Sequence, residues 1–232
     1  MEIIPLASGS GGNCIYVTGE SPFLLEAGIP WKRIQQGTGF KTTELDFCLV
    51  THSHMDHAKS VIDAMKAGID CYMSTETIEA LQLTGHRAKP VKPLGQFKAS
   101  KWNILPFDVK HDAPGTLGFL LSYRETKIVY ITDTPYCRYK FSGLTHILVE
   151  CNYSLEQLNA NVEAGIVPVE LRNRIVRSHF ALENVKAFLR ANDLRSVKEI
   201  HLLHLSDQNS NAELFKREIQ SLTGKETYIA GA

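Results

Sequence analysis

The stretch Thr51–His57 constrains this chain more than any other. It places three histidines and one aspartate within seven residues. It follows an apolar run, Phe47–Val50, and precedes an amphipathic run, Ala58–Ala67, so the pattern predicts a loop between a strand and a helix. Imidazole and carboxylate groups are ligands that suit zinc, manganese and iron. The stretch therefore predicts a metal site at the end of a strand.

The spacing inside this stretch separates two pairs of donors. His52 and His54 are two residues apart, so on an extended backbone they point to the same side and can bind one ion. Asp56 and His57 then remain for a second ion. A lone His-x-His pair is more often solvated surface, but four such groups in one loop cost free energy of desolvation unless a cation compensates. The stretch therefore favours a centre with two metal ions.

The composition is that of an ordinary globular protein. The 232 residues include 25 basic and 25 acidic side chains, so no global field attracts the protein to nucleic acid or to an anionic membrane. The five cysteines are odd in number and form no C-x-x-C pair, which is typical of reduced thiols in a cytoplasmic protein. No signal-peptide pattern and no membrane-spanning apolar run is present in the sequence. Because no repeat or linker divides the chain, we expect a single domain over residues 1–232.

Apolar runs elsewhere predict an alternation of strands and helices. The chain begins with a predicted β-meander, and strands recur early and late, each group followed by helices. Strands are predicted over 2–6, 14–17, 23–26, 47–50, 71–73, 101–109, 116–123, 127–132, 147–150 and 199–204, and helices over 58–67, 155–161, 168–176, 182–192 and 212–223. Another helix is expected to begin at the capping sequence Ser74-Thr75-Glu76-Thr77. This order favours two packed sheets with helices outside, an α/β fold of the α+β type.

Further metal-binding side chains follow predicted strands. His111, Asp133 and His204 each stand where a strand gives way to a polar loop, and loops at strand ends are where sites are commonly built. A single histidine in such a place is more often structural, so the recurrence is what indicates ligands. His201 is separated from His204 by an odd spacing and faces the other side of the strand. We therefore expect His204 to be the ligand.

The glycine-rich turn Ser8–Asn13 admits two interpretations. Successive backbone N–H groups in such a turn can bind phosphate, with Ser10 and Asn13 as substrate contacts. The same composition also serves as a tight connection between strands, which is the more frequent case.

The histidines and aspartates together resemble the hallmark of the metallo-β-lactamase-fold hydrolases, H-x-H-x-D-H followed by a separate His, an Asp and a final His. The resemblance extends over nearly the whole chain and implies a four-layer αββα sandwich with the metals at one edge. It implies that His52, His54 and His111 bind one metal, that Asp56, His57 and His204 bind the other, and that Asp133 bridges both.

Several segments resemble the YycJ/WalJ-type branch of exonucleases within that superfamily. They are Leu6–Cys14, His111-Asp112-Ala113, Glu150-Cys151-Asn152 and His204-Leu205-Ser206. Arg177-Ser178-His179 is similar to the histidine motif of the nuclease and tRNA-processing branches, in which that histidine lies beside the scissile phosphate. The chain departs from the family at Glu26, where aspartate is usual. It also departs at His179-Phe180-Ala181, where the branch usually has His-Leu-Ser.

These features predict a hydrolase with two metal ions that cleaves phosphodiester bonds, with DNA exonuclease activity as the leading expectation. Two cations roughly 3.5–4 Å apart lower the pKa of a bound water and stabilise both oxygens of an in-line displacement. Asp56, as a ligand, and His179, as the proton donor to the leaving oxygen, are the predicted catalytic residues. Arg172, Arg174 and Arg177 could contact flanking phosphates. An exposed helix face is the commoner role for at least two of these arginines.

Other functions stay open on the sequence alone. The substrate could be DNA, RNA or a small cyclic phosphodiester, and thioesterases of glyoxalase II type or lactonases share the fold without needing a histidine placed like His179. A non-enzymatic metal-binding protein is less favoured, because a structural site is normally closed by four ligands on one ion. The ligand types suit Zn²⁺, Mn²⁺ and iron alike. The oligomeric state is open.

Overall fold

Two compact units make up the structure, a computed structural model that describes residues 1–231. The first unit comprises Met1–Asp108, Ala113–Tyr123 and Gly231, and the second comprises Val109–Asp112 and Arg124–Ala230. Neither unit is one continuous segment of chain. The single domain expected over residues 1–232 stays a prediction.

The first unit contains a six-stranded sheet whose strands are neighbours in sequence order. They are β1 (Ile3–Ala7), β2 (Cys14–Val17), β3 (Phe23–Leu25), β4 (Phe47–Leu49), β5 (Asp70–Ser74) and β6 (Ala88–Val91). β1 to β3 are antiparallel, as the predicted meander requires, and β3 to β6 run parallel. Parallel neighbours need crossover connections, and these contain the helices α1 (Trp31–Gly37), α2 (Met55–Ala58), α3 (Val61–Lys66) and α4 (Thr75–Ala80).

Three antiparallel strands of the first unit pack on this sheet through aromatic side chains. They are β7 (Phe97–Ala99), β8 (Trp102–Asp108) and β9 (Leu117–Tyr123). The ring of Phe23 stacks on Phe47 with 4.7 Å between centroids, and it meets the Trp102 ring at 5.1 Å. Trp102 Nε1 donates a hydrogen bond to Ser21 O at 3.0 Å. Large aromatic surfaces are thereby removed from water while the indole N–H keeps a partner.

The second unit contains four parallel strands in the order β13-β12-β11-β10. They are β10 (Thr126–Ile131), β11 (His146–Glu150), β12 (Glu199–Leu203) and β13 (Glu226–Ile229). Its helices are α5 (Leu155–Glu163), α6 (Val169–Ser178), α7 (Leu182–Ala191) and α8 (Ala212–Thr223). β11 is buried at every position, as expected of a parallel strand covered on both faces. The carboxyl ends of parallel strands meet at one edge, so the residues that follow β10, β11 and β12 come together there.

Some predicted boundaries are wrong for identifiable reasons. The helix predicted over 58–67 is interrupted near its start, where Ala58 ends α2 and Val61 begins α3. The break occurs because Ser60 donates its N–H to Ala27 O and its hydroxyl to Ile29 O. The sequence patterns did not predict α1, β6, β7 or β13. β6 contains Pro90 and lies at the edge of its sheet, where proline is tolerated. β7 has only three residues.

The histidine that turns away from the strand end, His201, is buried in the second unit. Its ring stacks on Tyr228 with 5.1 Å between centroids, and its Nε2 lies 3.0 Å from Glu199 Oε2. Burial lowers the pKa of His201 below its ordinary value of 6.5, and Glu199 opposes this shift only in part. The folded protein therefore resists protonation of this ring.

We expect His201 to make folding stability depend on pH. Below about pH 6.5 the unfolded chain binds a proton that folded His201 does not, so the free energy of unfolding falls as the pH drops from there through the lowered pKa. His201→Phe keeps the stacked ring and removes the titration. Urea unfolding at about pH 7.5 and about pH 5.5 should show a smaller loss of stability in the variant than in the wild type. Equal losses in the two proteins would contradict this assignment.

Candidate metal centre

The candidate metal-binding stretch of the first unit, Thr51–His57, begins just after β4. The backbone is extended at His54, which precedes α2, so Asp56 and His57 lie on the helix itself. His52 Nε2 lies 3.1 Å from His54 Nδ1, as their predicted placement on one side requires. The rings of His52 and His57 are 4.2 Å apart between centroids, and both are buried. The first unit thus gathers imidazole nitrogens around one point.

Neighbouring side chains hold these imidazoles in place. Thr51 Oγ1 lies 2.9 Å from His52 Nδ1. Glu26 follows β3 in a left-handed conformation, with a φ of 67°, and its Oε1 lies 3.4 Å from His57 Nδ1. Its Oε2 accepts a hydrogen bond from Thr51 N at 3.2 Å. A carboxylate behind a ligating histidine fixes the tautomer and the orientation of the ring, so the longer Glu26 side chain is placed to position His57.

The glycine-rich turn lies against the same stretch. Asn13 is buried, and its N–H donates to Asp56 O at 2.7 Å while its Nδ2 lies 3.2 Å from His57 Nε2. Its Oδ1 accepts a hydrogen bond from Gly9 N at 2.9 Å, which closes the turn. Ser10 is exposed. The Asn13 amide, predicted to contact substrate, is therefore directed at Asp56 and His57, and the Ser10 hydroxyl is the group that solvent reaches.

The second unit brings four donors together at the carboxyl ends of its strands. Asp133, Glu150, His179 and His204 each offer one atom within 4.8 Å of the others. Glu150 ends β11, whereas Asp133 and His204 stand after β10 and β12, both with a φ of 51°. Such a backbone costs on the order of 1–3 kcal/mol at a non-glycine residue and persists only where the surroundings impose it, often at functional sites. The fold thus turns these side chains towards one point.

Glu150 lies at the centre of this cluster. Its Oε1 is 2.6 Å from His179 Nδ1 and 3.4 Å from His204 Nδ1. Its Oε2 accepts hydrogen bonds from the backbone N–H groups of Thr134, at 3.3 Å, and Phe180, at 3.1 Å. The carboxylate is fully buried and both of its oxygens have partners. No pattern in the sequence predicts a role for Glu150.

Asp133 and Asn152 complete the surroundings of His204. Asp133 Oδ1 lies 3.3 Å from His204 Nδ1 and 3.4 Å from His179 Nδ1, and its Oδ2 accepts a hydrogen bond from Thr132 Oγ1 at 2.7 Å. Asn152 Nδ2 donates to the backbone carbonyl of His204 at 2.8 Å. The strained turn after β12 is therefore held by a side chain from the neighbouring strand end.

The electrostatics of the cluster fit a divalent cation. Burial lowers the pKa of His204, but the carboxylates of Asp133 and Glu150 outweigh it and raise that pKa to about 10. Burial also lowers the pKa of His179, and Glu150 again raises it above the ordinary value. The cluster therefore favours positive charge, which a cation supplies when imidazole and carboxylate groups act as its ligands.

The other predicted contacts of the second unit lie close by. The ring centroid of His111 is 6.0 Å from that of His179, and His111 Nε2 lies 3.0 Å from Asp112 Oδ1. Arg174 Nη2 lies 3.5 Å from Asp112 Oδ2. Arg177 is exposed on α6. Arg177 is thus accessible to a ligand, whereas Arg174 is already paired with a carboxylate.

We expect Glu150→Gln to weaken metal binding or activity about 10- to 100-fold, as is typical when a group that orients metal ligands is changed. Glutamine keeps the volume of the side chain but removes the charge that faces His179 and His204. Metal retained after dialysis and the rate of substrate hydrolysis measure the effect. Glu199→Gln, on the neighbouring strand beside His201, is the matched control. A Glu150→Gln protein equal to this control in both measurements would contradict the role given to Glu150.

Comparison with known proteins identifies the class of protein to which this chain belongs. The family model described as "Beta-lactamase superfamily domain" matches residues 24–201. The structure of the metallo-β-lactamase-fold protein YhfI from Bacillus subtilis superposes with a TM-score of 0.74 at 15% identity, covering 99% of this chain and 97% of that one. The protein is thus a hydrolase of the metallo-β-lactamase fold, and the predicted fold class is confirmed.

Sequence relatives narrow the class further. The exodeoxyribonuclease WalJ of Streptococcus pneumoniae strain D39 is 30% identical over 228 residues, covering 90% of this chain and 83% of the relative. The exodeoxyribonuclease YycJ of Bacillus anthracis is 29% identical over 244 residues, covering 97% and 90%. The chain belongs to the WalJ/YycJ family. Within residues 1–231, no helix has the length and apolar character needed to cross a bilayer.

Proposed function

We propose that this protein is an exonuclease that uses two divalent cations to hydrolyse phosphodiester bonds of DNA. The observation that carries the proposal is the buried cluster of the second unit, in which a carboxylate holds the partly exposed ring of His179 beside metal-binding side chains. Proteins named exodeoxyribonucleases at about 30% identity support DNA as the substrate. We also propose that the protein works in the cytoplasm.

The ligand assignment is part of this proposal. We assign one cation to His52, His54 and His111, the other to Asp56, His57 and His204, and a bridging role to Asp133. Zn²⁺ and Mn²⁺ are the proposed metals, because both bind imidazole and carboxylate groups. When bound, such a pair of cations supplies a water of lowered pKa and stabilises the attacking and leaving oxygens.

His179 is the residue that donates a proton to the leaving oxygen in this proposal. Its Nδ1 is 2.6 Å from Glu150 Oε1, so Nε2 is the nitrogen left to face a substrate. Glu150 raises the pKa of this imidazole despite its burial, which favours the protonated form that a proton donor needs. As the bond from phosphorus to the leaving oxygen breaks, His179 donates that proton to the oxygen. Arg177 is placed to meet the charge of a flanking phosphate.

Cleavage of end-labelled DNA tests the proposal. We expect linear 5′-phosphorylated DNA, single- or double-stranded, to be shortened progressively from one end by protein loaded with Mn²⁺ or Zn²⁺. His54→Ala, which lacks one proposed ligand, is the control and should not shorten it. A metal-loaded wild type that leaves DNA intact but hydrolyses a cyclic nucleotide or a thioester would replace DNA with that substrate class.

A further inference from the structure

One segment of the second unit alternates aromatic and basic residues. Tyr136, Arg138 and Lys140 are exposed, while the intervening Cys137 and Tyr139 are partly buried. Tyr136 keeps 51% of its surface accessible, which is unusual for so large a ring. The three exposed side chains of this irregular segment are therefore one aromatic ring and two cations.

The segment forms one wall of a cavity of about 210 Å³. α7 forms the opposite wall with the small side chains of Ala187 and Ala191, and Phe180 and Phe188 contribute aromatic rings to the lining. Pockets for drug-sized ligands hold roughly 300–1,000 Å³, so this cavity has room for one planar group. Aromatic rings and small side chains line it together, a composition that suits a flat ring system.

The cavity is preformed, because α7 holds the segment near both ends. Asn184 Nδ2 donates to Pro135 O at 2.9 Å, and Phe141 N donates to Asn192 Oδ1 at 2.6 Å. Binding of a ligand would therefore cost little free energy for ordering the segment from Tyr136 to Lys140.

The positive charge of the residues that line the cavity favours an anionic ligand. These residues include Arg138 and Lys140, and no carboxylate is among them. The Arg138 guanidinium lies 5.1 Å from the centroid of the Tyr139 ring and donates to its hydroxyl at 3.0 Å. Aromatic rings for stacking, combined with cations for the backbone, are the features by which proteins bind single-stranded nucleic acid.

The cavity also adjoins the metal-binding cluster. Both segments that line the cavity are hydrogen-bonded to Glu150. Glu150 Oε2 accepts hydrogen bonds from Thr134 N, two residues before Tyr136, and from Phe180 N. Phe180 follows His179 directly and packs on Phe188 with 6.4 Å between ring centroids. The departure from the family's His-Leu-Ser pattern thus adds an aromatic ring to this cavity.

We infer that this cavity binds an unpaired nucleobase of the DNA strand next to the scissile phosphate. The inference rests on the proposed DNA-cleaving function and deepens it. The base stacks against Tyr136, and Arg138 and Lys140 meet the phosphates on either side. A strand end bound this way must be single-stranded over at least one nucleotide, so the protein would separate the terminal base pair of duplex DNA or act on a strand already unpaired.

Binding of abasic oligonucleotides tests the inference. The probes are short 5′-phosphorylated single strands with terminal phosphorothioate linkages that slow cleavage, each with an abasic nucleotide at one position near the end. Fluorescence anisotropy with the manganese-loaded protein should reveal one position at which loss of the base weakens binding about 5- to 150-fold, the range of one stacked base. Tyr136→Ala should weaken binding of the intact strand to a similar extent and abolish the penalty at that position, whereas Tyr136→Phe should retain both.

Control variants separate the alternatives. Lys140→Ala should weaken binding of intact and abasic strands equally, and Phe40→Ala, which removes an aromatic ring that is 72% exposed in the first unit, should change neither. Two results would overturn the base-binding assignment alone. The wild type could cleave DNA while loss of a base at any position leaves binding unchanged, or the loss of affinity at one abasic position could persist in Tyr136→Ala. A wild type that neither binds nor cleaves DNA would overturn the proposed function as well.

Discussion

His179→Ala is expected to lower kcat for DNA hydrolysis by about 10²- to 10⁴-fold, the usual contribution of a positioned proton donor, without changing the metal content. The ring is the most accessible member of its cluster, with 21% of its side chain exposed, whereas the side chains of Asp133 and His204 are 3% and 5% exposed. It is also held by the buried Glu150 at 2.6 Å, which orients it. Single-turnover rates together with metal analysis of the same samples measure both quantities.

The matched control for this prediction is His201→Ala, which removes a buried histidine from the same unit. It should lower the free energy of unfolding and leave the rate constant of the folded fraction unchanged. A His179→Ala protein that loses metal on dialysis would show that His179 is a ligand and would contradict its assignment as a proton donor.

Gly28→Ala is expected to disrupt the metal-binding stretch of the first unit. A Cβ at this position would lie 1.7 Å from Asp56 O and 2.7 Å from His57 N, so the backbone of α2 would have to move. Gly28 N also donates to Asn13 O at 2.9 Å, which ties the glycine-rich turn to the same place. Overpacking a tight site costs about 1–3 kcal/mol, and more where backbone must shift. We expect reduced stability together with loss of bound metal.

Gly11→Ala is the control for this substitution, because nothing lies within 4 Å of a Cβ placed there. Its unfolding midpoint in urea and its metal content should match those of the wild type. If Gly28→Ala binds metal as tightly as Gly11→Ala does, the close approach of Gly28 to α2 does not position the ligands.

The sequence was most informative where strands end in polar side chains. The apolar run before Thr51 predicted β4, and the spacing of His52 and His54 predicted that they share a side. The preference for His204 over His201 as a ligand rests on alternation along a strand, which sends the two rings to opposite faces. His204 contacts the carboxylates of the cluster, whereas His201 lies against Tyr228. These inferences depend only on local periodicity, which the chain encodes directly.

Features that depend on tertiary contacts were not predicted. Glu150 is the last residue of an apolar strand, and Asp133 follows another such strand. The two come close to His179 only when the sheet is assembled. Asn13 was interpreted as a substrate contact because glycine-rich turns bind phosphate, and nothing local indicated that it packs under Asp56. The left-handed backbone at Glu26 could not be expected from a residue type that rarely adopts it. In each case a distant segment imposes the arrangement.

If bound metal enables this protein to hydrolyse DNA, cleavage must depend on the metal bound per chain, and measuring one against the other is the most direct test. Protein stripped with a chelator would receive increasing amounts of Mn²⁺ or Zn²⁺, and shortening of an end-labelled strand would be followed at each occupancy. We predict no cleavage by the stripped protein, and activity that reaches its plateau at two ions per chain. Cleavage that persists after the metal is removed, or intact DNA in the presence of protein carrying two ions, would contradict the account.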